Sequence, residues 1–273
     1  MISFPNCKIN LGLRILNKRD DGYHAIESIL FPIPFNDILE IVKSDKSNET
    51  IFTTSGLKIP GNKDENLCLK AYNLLKTEYE LPPVHIHLHK IIPMGGGLGG
   101  GSANASFTLI LLNDLFKLNL SKDKLSFFAS QLGSDCPFFI FETPQYATGR
   151  GEILEPVDID LQGYYLVLLN KGIHVGTQEA YRTVNPKNQY VSLKNIISLP
   201  IEKWEKFLIN DFEESIFLNY PSLSSIKKYL YEQGAEYAAM TGSGSTMFGI
   251  FKKDPSSIPF NINQNGFSKI IKL

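Results

Sequence analysis

The sequence predicts an α+β fold, and three observations lead to it. Strand-like and helix-like runs do not alternate strictly along the chain, which argues against a doubly wound parallel sheet. Residues 84–92 alternate cleanly, with Val84, Ile86 and Leu88 on one face and His85, His87 and His89 on the other. That is a half-exposed strand of an antiparallel or mixed sheet. The chain has 273 residues, 43% hydrophobic and 20% charged, enough for a packed core in one large domain or two modest ones.

Residues 8–15 read as a strand, with Ile9, Leu11, Leu13 and Ile15 at alternate positions. Arg19-Asp20-Asp21-Gly22 has turn chemistry. Residues 29–42 are extended and interrupted by Pro32 and Pro34, and 43–50 form a polar loop. Residues 66–79 have helical spacing through Leu67, Ala71, Leu74 and Leu75. After the strand at 84–92 and a glycine-rich loop, a helix runs through Ala105, Leu109, Leu112 and Phe116. Ser121 opens another helix, ending near Leu132 with Gly133 just past its end.

Ser134-Asp135-Cys136-Pro137 forms a short loop before an aromatic strand at 138–141. Gly149 and Gly151 punctuate the segment around Arg150. A strand follows at 164–169, a helical region at 177–183 and further helical segments across 201–218. A helix over 221–233 is stopped by Gly234. A strand–loop–strand unit over 237–251 and a terminal strand at 267–273 complete the chain. The expected division is an N-terminal lobe, 1–155, and a C-terminal lobe, 156–273.

The net charge of −1 offers no electrostatic footprint for nucleic acid or an anionic membrane. No apolar run approaches a bilayer span, and the first residues lack the pattern of a signal peptide. Cys7, Cys68 and Cys136 are far apart and form no CxxC pair or metal spacing, so reduced thiols and a cytoplasmic location are expected. His85, His87 and His89 share a strand face, but alternate positions on one strand do not converge on one tetrahedral ion. A solvated face is expected there, and core packing for Trp204.

The chemistry concentrates in Pro93-Met94-Gly95-Gly96-Gly97-Leu98-Gly99-Gly100-Gly101-Ser102, between an apparent strand and an apparent helix. Glycine lets the backbone reach φ > 0 and approach a ligand closely. A helix start adds unpaired N–H donors and partial positive charge, which together suit phosphate. A Walker A loop is excluded, because Gly101 is followed by Ser102 and the loop has no lysine. Gly95, Gly97 and Gly100 formally match a dinucleotide GxGxxG. The histidine-bearing strand before it and the helix some twenty residues beyond argue against that reading.

The loop instead resembles the second motif of the GHMP kinases (galactose, homoserine, mevalonate and phosphomevalonate kinases), P-x-G-x-G-L-G-S/G-S-S followed by Ala, here Ala103. Lys8-Ile9-Asn10-Leu11 followed by Arg19-Asp20-Asp21-Gly22-Tyr23-His24 is similar to the N-terminal signature of one branch of that family. Leu132-Gly133-Ser134-Asp135-Cys136-Pro137-Phe138-Phe139 and Thr148-Gly149-Arg150-Gly151-Glu152 resemble segments of the same branch. Thr241-Gly242-Ser243-Gly244-Ser245-Thr246 resembles the third GHMP motif.

The resemblance implies a two-lobed fold with mixed and antiparallel sheets and flanking helices. It also implies transfer of a phosphoryl group from ATP to an alcohol on a small substrate bearing a cytidine diphosphate group, in non-mevalonate isoprenoid synthesis. On that basis Asp135 accepts or orients the hydroxyl proton, and Lys8 stabilises negative charge beside it. Residues from Pro93 through Ala103 hold the triphosphate, and Asn66 lies near the adenine. Ser102 is the side chain implied to touch a phosphate or its magnesium, an ion that needs few protein ligands. Asn10 is implied near the acceptor, Tyr23 and His24 at the cytosine, and Thr177 and Tyr181 at positions i and i+4, with Tyr181 as a second aromatic against the base. Two alternatives remain open: a family member with a sugar, homoserine or mevalonate acceptor, and a nucleotide sensor without turnover. The segment with Tyr23 and His24 discriminates against the first, and the pair Lys8 and Asp135 against the second.

Overall fold

Branched apolar residues at alternate positions build the strands, and capped apolar stripes build the helices. A computed structural model describes residues 1–44, 49–184, 186, 191–260 and 266–273. The polar stretch at 43–50 therefore lies partly outside the described residues. In chain order the strands are β1 (Ile2–Ser3), β2 (Asn6–Lys18), β3 (His24–Asn36), β4 (Ile38–Lys43), β5 (Ile51–Gly56), β6 (Val84–Lys90), β7 (Gln145–Thr148), β8 (Ile153–Pro156), β9 (Tyr165–Asn170), β10 (Tyr237–Met240), β11 (Met247–Phe251) and β12 (Phe267–Lys272). The α-helices are α1 (Leu67–Tyr79), α2 (Gly100–Phe116), α3 (Lys122–Leu132), α4 (Phe138–Phe141), α5 (Thr177–Thr183), α6 (Leu193–Ile196), α7 (Trp204–Phe207), α8 (Phe212–Asn219) and α9 (Pro221–Glu232). The arrangement is α+β.

The chain divides into two units that interleave in sequence. The first comprises Met1–Lys8, Phe35–Met94 and Gly99–Thr143, and the second Ile9–Pro34, Gly95–Leu98 and Pro144–Leu273. A single boundary after residue 155 does not describe this partition. Residues 9–34 join the later part of the chain because β3 pairs with β7, Ser28 opposite Ala147. Residues 95–98 join it because Thr246 N donates to Gly96 O at 3.2 Å.

In the first unit the sheet order is β1-β4-β6-β5, with β6 antiparallel to β4 and parallel to β5. This is the mixed sheet that the alternation at 84–92 implies. Helix α2 packs on β4 and against α1 and α3. It is buried nearly all round, as an apolar central helix must be. Side chains of Asn66 and Ser121 cap α1 and α3. The row of histidines is half-buried, not simply solvated. Its rings bond the hydroxyls of the neighbouring segments, His87 Nδ1 to Thr53 Oγ1 at 2.8 Å and His89 Nδ1 to Ser55 Oγ at 2.9 Å.

One expected element is wrong: 138–141 is the short helix α4, not a strand. Four consecutive apolar residues carry no period that separates the two states. Pro137, at φ −54 and ψ −35, sets a helical start, and Glu142 in the left-handed region ends it.

The remaining two sheets have the orders β10-β11-β9-β12 and β2-β3-β7-β8. Pro32 and Pro34 lie within β3, beyond the Ser28–Leu30 segment that pairs with β7. Leu13, Ile15, Val167, Phe212, Ile216, Leu223 and Leu230 belong to one buried core. Trp204 is buried in the second unit, its indole N–H donating to Leu199 O at 2.8 Å.

Candidate active site

Strand β2 is buried on both faces at its start, so Lys8 is inside although lysine is usually outside. Its Nζ lies 3.5 Å from Asp135 Oδ2, and the two side chains are 4% and 41% exposed. The ammonium is thus held within the first unit while the carboxylate stays open to solvent. Asp135 sits in the turn between α3 and α4, where Cys136 N donates to Gly133 O at 3.1 Å. The hydroxyls of Ser102 and Ser106 hydrogen-bond at Cys136, Ser106 donating to its carbonyl at 2.6 Å. The first turns of α2 therefore fix the loop that carries Asp135. Burial pushes the Cys136 thiol up to about 12, so it is an inert packing group. All three cysteines are free and buried.

Gly99 is the N-cap of α2 at φ 72, a left-handed conformation that favours glycine. A Cβ there would meet the Phe139 ring at 2.8 Å and the Lys8 stem at 3.1 Å. The loop backbone lies directly on the lysine. Ser102 is in the first helical turn, as expected, and Ala103 N donates to Gly99 O at 2.9 Å. A Cβ on Gly100 would come 2.9 Å from Lys90 Nζ, whereas Gly101 is open, with Leu67 3.9 Å away. Pro93 and Met94 lead into the loop, Met94 exposed. The Asn66 side chain accepts from Cys68 N at 2.9 Å, so its amide oxygen is used as a helix cap.

The other part of the loop, Gly95–Leu98, is seated in the second unit. Gly97 has φ +78, and a Cβ on it would fall 2.1 Å from Thr241 O. A Cβ on Gly96 would lie 2.6 Å from Thr246 Oγ1, and one on Gly95 2.7 Å from His174 Nδ1. Leu98 is buried. Thr241 Oγ1 donates to Gly97 O at 3.2 Å and accepts from Asn10 N at 3.1 Å. Asn10 Oδ1 is 3.2 Å from the Thr241 hydroxyl and its Nδ2 donates to Ser28 Oγ at 2.8 Å. The third glycine-rich motif thus braces both the loop and Asn10.

In the same unit His24 stacks on Tyr181, with ring centroids 5.1 Å apart and planes 23° apart. Tyr181 stands edge-on to Phe212 at 4.9 Å. Tyr23 is exposed, and the Arg150 guanidinium lies over its ring, 4.9 Å from the centroid. Thr177, at the start of α5, is 3.3 Å from Ser243, hydroxyl to hydroxyl. Desolvation, with Lys18 second, holds the His24 imidazole below its ordinary pKa of 6.5. The folded state therefore binds this proton less readily than the unfolded state, and the site favours the neutral ring. His24 then costs stability as pH falls through the ordinary value and on through the folded one. A proton-NMR titration is expected to place its midpoint below 6.5. A midpoint at or above that value would show that the ring is not desolvated.

Sequence reading missed a buried cluster in the first unit. Lys90 Nζ donates to Asp37 Oδ2 and to Asn104 Oδ1, the latter at 3.2 Å, and Asn104 Nδ2 donates to Asp37 Oδ2 at 2.8 Å. Asp37 Oδ1 also accepts from Ile91 N at 2.7 Å and Ile92 N at 2.8 Å. A signal was present: strand period two puts Lys90 on the same face as Val84, Ile86 and Leu88, the buried one. His174, Asn170 and Arg150 were also missed, and no local pattern marks the first two.

Residues 66–143 match the family model for the GHMP kinases N terminal domain, and 193–265 that for GHMP kinases C terminal. The chain is 53% identical over 253 residues to a 4-diphosphocytidyl-2-C-methyl-D-erythritol kinase of Parabacteroides distasonis, covering 93% of this chain and 92% of that protein. It is 51% identical to one of Cytophaga hutchinsonii, covering 96% of each. Among solved structures, a 4-(cytidine 5'-diphospho)-2C-methyl-D-erythritol kinase superposes with a TM-score of 0.78 at 29% identity, over 92% of this chain and 90% of that one. A mevalonate kinase of Methanococcus jannaschii, at 14% identity and a TM-score of 0.73 over 100% and 98%, shares the fold.

Proposed function

This chain belongs to the GHMP kinase family, and from that premise we infer that it transfers the γ-phosphoryl group of ATP to the 2-hydroxyl of 4-diphosphocytidyl-2-C-methyl-D-erythritol, in non-mevalonate isoprenoid precursor biosynthesis. The observation that carries the chemistry is the pair of Lys8 and Asp135, a buried ammonium against an accessible carboxylate. Phosphoryl transfer needs alignment, charge neutralisation and a proton acceptor, with little covalent work by the protein. The acceptor oxygen attacks the γ-phosphorus, its proton passes to the Asp135 carboxylate, and ADP leaves. Lys8 stabilises the negative charge that builds on the transferring group.

The glycine loop from Pro93 through Ala103 cradles the triphosphate with backbone N–H groups. What supports this is a backbone so closely seated on Thr241, Phe139 and Lys8 that side chains at 97 and 99 would collide. Asn66 meets the adenine. Tyr23, His24 and Tyr181 recognise the cytosine by stacking and hydrogen bonding, with Thr177 beside them. Asn10, tied at both ends of its amide, holds the acceptor end.

Magnesium fits as an ion carried by the phosphates. Among the described residues no three His, Cys, Asp or Glu side chains form a metal cage, while the Ser102 hydroxyl supplies a hard oxygen donor at the helix start. When bound, the ion neutralises phosphate charge. No described helix is long and apolar enough to cross a membrane. Three free, buried thiols and a net charge of −1 support a cytoplasmic enzyme with neither a nucleic-acid nor a membrane partner.

Coupled ADP release with ATP, magnesium and a panel of acceptors tests the function. Turnover with 4-diphosphocytidyl-2-C-methyl-D-erythritol, and not with homoserine, mevalonate or galactose, is expected. Turnover with another acceptor alone would keep the phosphotransferase and discard the cytosine roles. ATP binding without turnover on any acceptor would favour a nucleotide sensor.

A further inference from the structure

We propose that Arg150 is a specificity-determining positioning residue for the cytidine end of the substrate, acting by holding the ring of Tyr23. This rests on the reading of Tyr23 as a residue that stacks on cytosine.

Tyr23 stands out because it is an aromatic ring 56% exposed on a turn. Such a side chain samples several rotamers unless something holds it, and an unheld ring must be ordered when the base arrives. Two features of the turn restrain it. Arg19 and Asp21 are paired at 2.9 Å, and Asp21 Oδ1 accepts from Tyr23 N at 3.1 Å, which fixes the backbone. The Arg150 guanidinium covers one face of the ring at 4.9 Å, within cation–π range.

Arg150 is itself anchored. Its backbone N–H donates to Glu152 Oε2 at 2.5 Å, and its Nε lies 3.5 Å from Glu152 Oε1. The turn is tied to the strand that follows Tyr23, because Ile26 N donates to Gly149 O at 2.8 Å. Glu152 orients the guanidinium, and the guanidinium orients Tyr23. One ring face is then committed to the protein, and the opposite face is the one left for a flat, polar base. The Glu152 carboxylate neutralises the cation nearby, so the contribution is orientation more than long-range attraction for the diphosphate.

Steady-state kinetics on the full-length enzyme tests this with Arg150→Met, Arg150→Lys, Tyr23→Ala and the double variant of Arg150→Met with Tyr23→Ala. Arg150→Met is expected to raise the KM for the cytidine substrate about 2- to 5-fold, the range of an exposed cation–π contact. The KM for ATP and kcat should stay within about twofold, and Arg150→Lys should recover part of the loss. Tyr23→Ala alone should raise the same KM about tenfold, as for loss of one base–aromatic stack. In the Tyr23→Ala background Arg150→Met should add nothing, since its effect runs through the ring.

An equal KM increase in both backgrounds would overturn the proposal and give Arg150 a role independent of Tyr23. A joint loss of kcat and ATP affinity would overturn it in favour of a structural role. If Tyr23→Ala leaves the cytidine KM unchanged, the reading of Tyr23 fails, and the role of Arg150 falls with it.

Discussion

Replacing Asp135 by Asn is expected to lower kcat by about 10²- to 10⁴-fold, the usual contribution of a positioned general base. Asparagine keeps the size and one oxygen of the side chain but cannot take the acceptor proton. The KM for ATP should change little, because the triphosphate is assigned to the loop backbone and not to this carboxylate. Stability should also hold. The carboxylate is 41% exposed and 3.5 Å from the Lys8 ammonium, and the asparagine oxygen still offers that buried ammonium an acceptor. Lys8→Met should likewise reduce kcat, by removing the cation that faces the transferring group. Single-turnover measurements at saturating ATP separate chemistry from product release. Activity of Asp135→Asn within tenfold of the parent would show that another group takes the proton.

The largest expected loss of stability lies at Asp37. Its carboxylate answers the Lys90 ammonium, the Asn104 amide and the backbone N–H groups of Ile91 and Ile92, and Asp37, Lys90, Asn104 and Ile92 are all buried. Asp37→Ala leaves a buried ammonium without its counter-charge and should cost about 3–5 kcal/mol. The cluster lies under the start of α2, since Lys90 Nζ is 2.9 Å from where a Gly100 Cβ would be. Removing both charges, with Asp37→Leu and Lys90→Met, should recover part of the loss. The buried Ile92 N–H group would still lack an acceptor, at about 1–3 kcal/mol. Denaturant midpoints compared at equal slope measure both effects. A cost below about 1 kcal/mol for Asp37→Ala would mean that water or another acceptor replaces the carboxylate.

Much of the site was legible because its chemistry needs residue types that stand out locally. A run of glycines before an apolar helix has few uses, and Gly97 and Gly99 do take left-handed φ in contact with neighbouring atoms. The helix start at Ser121 and the turn at Arg19–Gly22 were readable for the same reason, each being an interaction over two or three residues. Lys8 and Asp135 became informative only through their contexts, because an isolated lysine on a strand is normally a surface residue. The strand itself held a further signal. Lys8, Asn10 and Arg14 occupy alternate positions opposite Ile9, Leu11, Leu13 and Ile15, and all are buried. A strand buried on both faces with polar residues on one of them implies a built polar interior, which the apolar alternation alone does not show.

The residues alone thus determined the α+β class, most element positions and the glycine-rich loop between strand and helix, because these depend on period, caps and glycine conformations within a few residues, whereas Lys8 and Asp135 were singled out only by the resemblance to the GHMP kinases. Tertiary structure alone decided that Asp37, Lys90 and Asn104 form one buried cluster, and that His24 lies on Tyr181 and Arg150 on Tyr23. It also decided that each unit draws on separate stretches of the sequence. These features arise from strand pairing and side-chain packing between segments tens to hundreds of residues apart. No local period encodes such a partner, and its burial energy is realised only when both segments are in place.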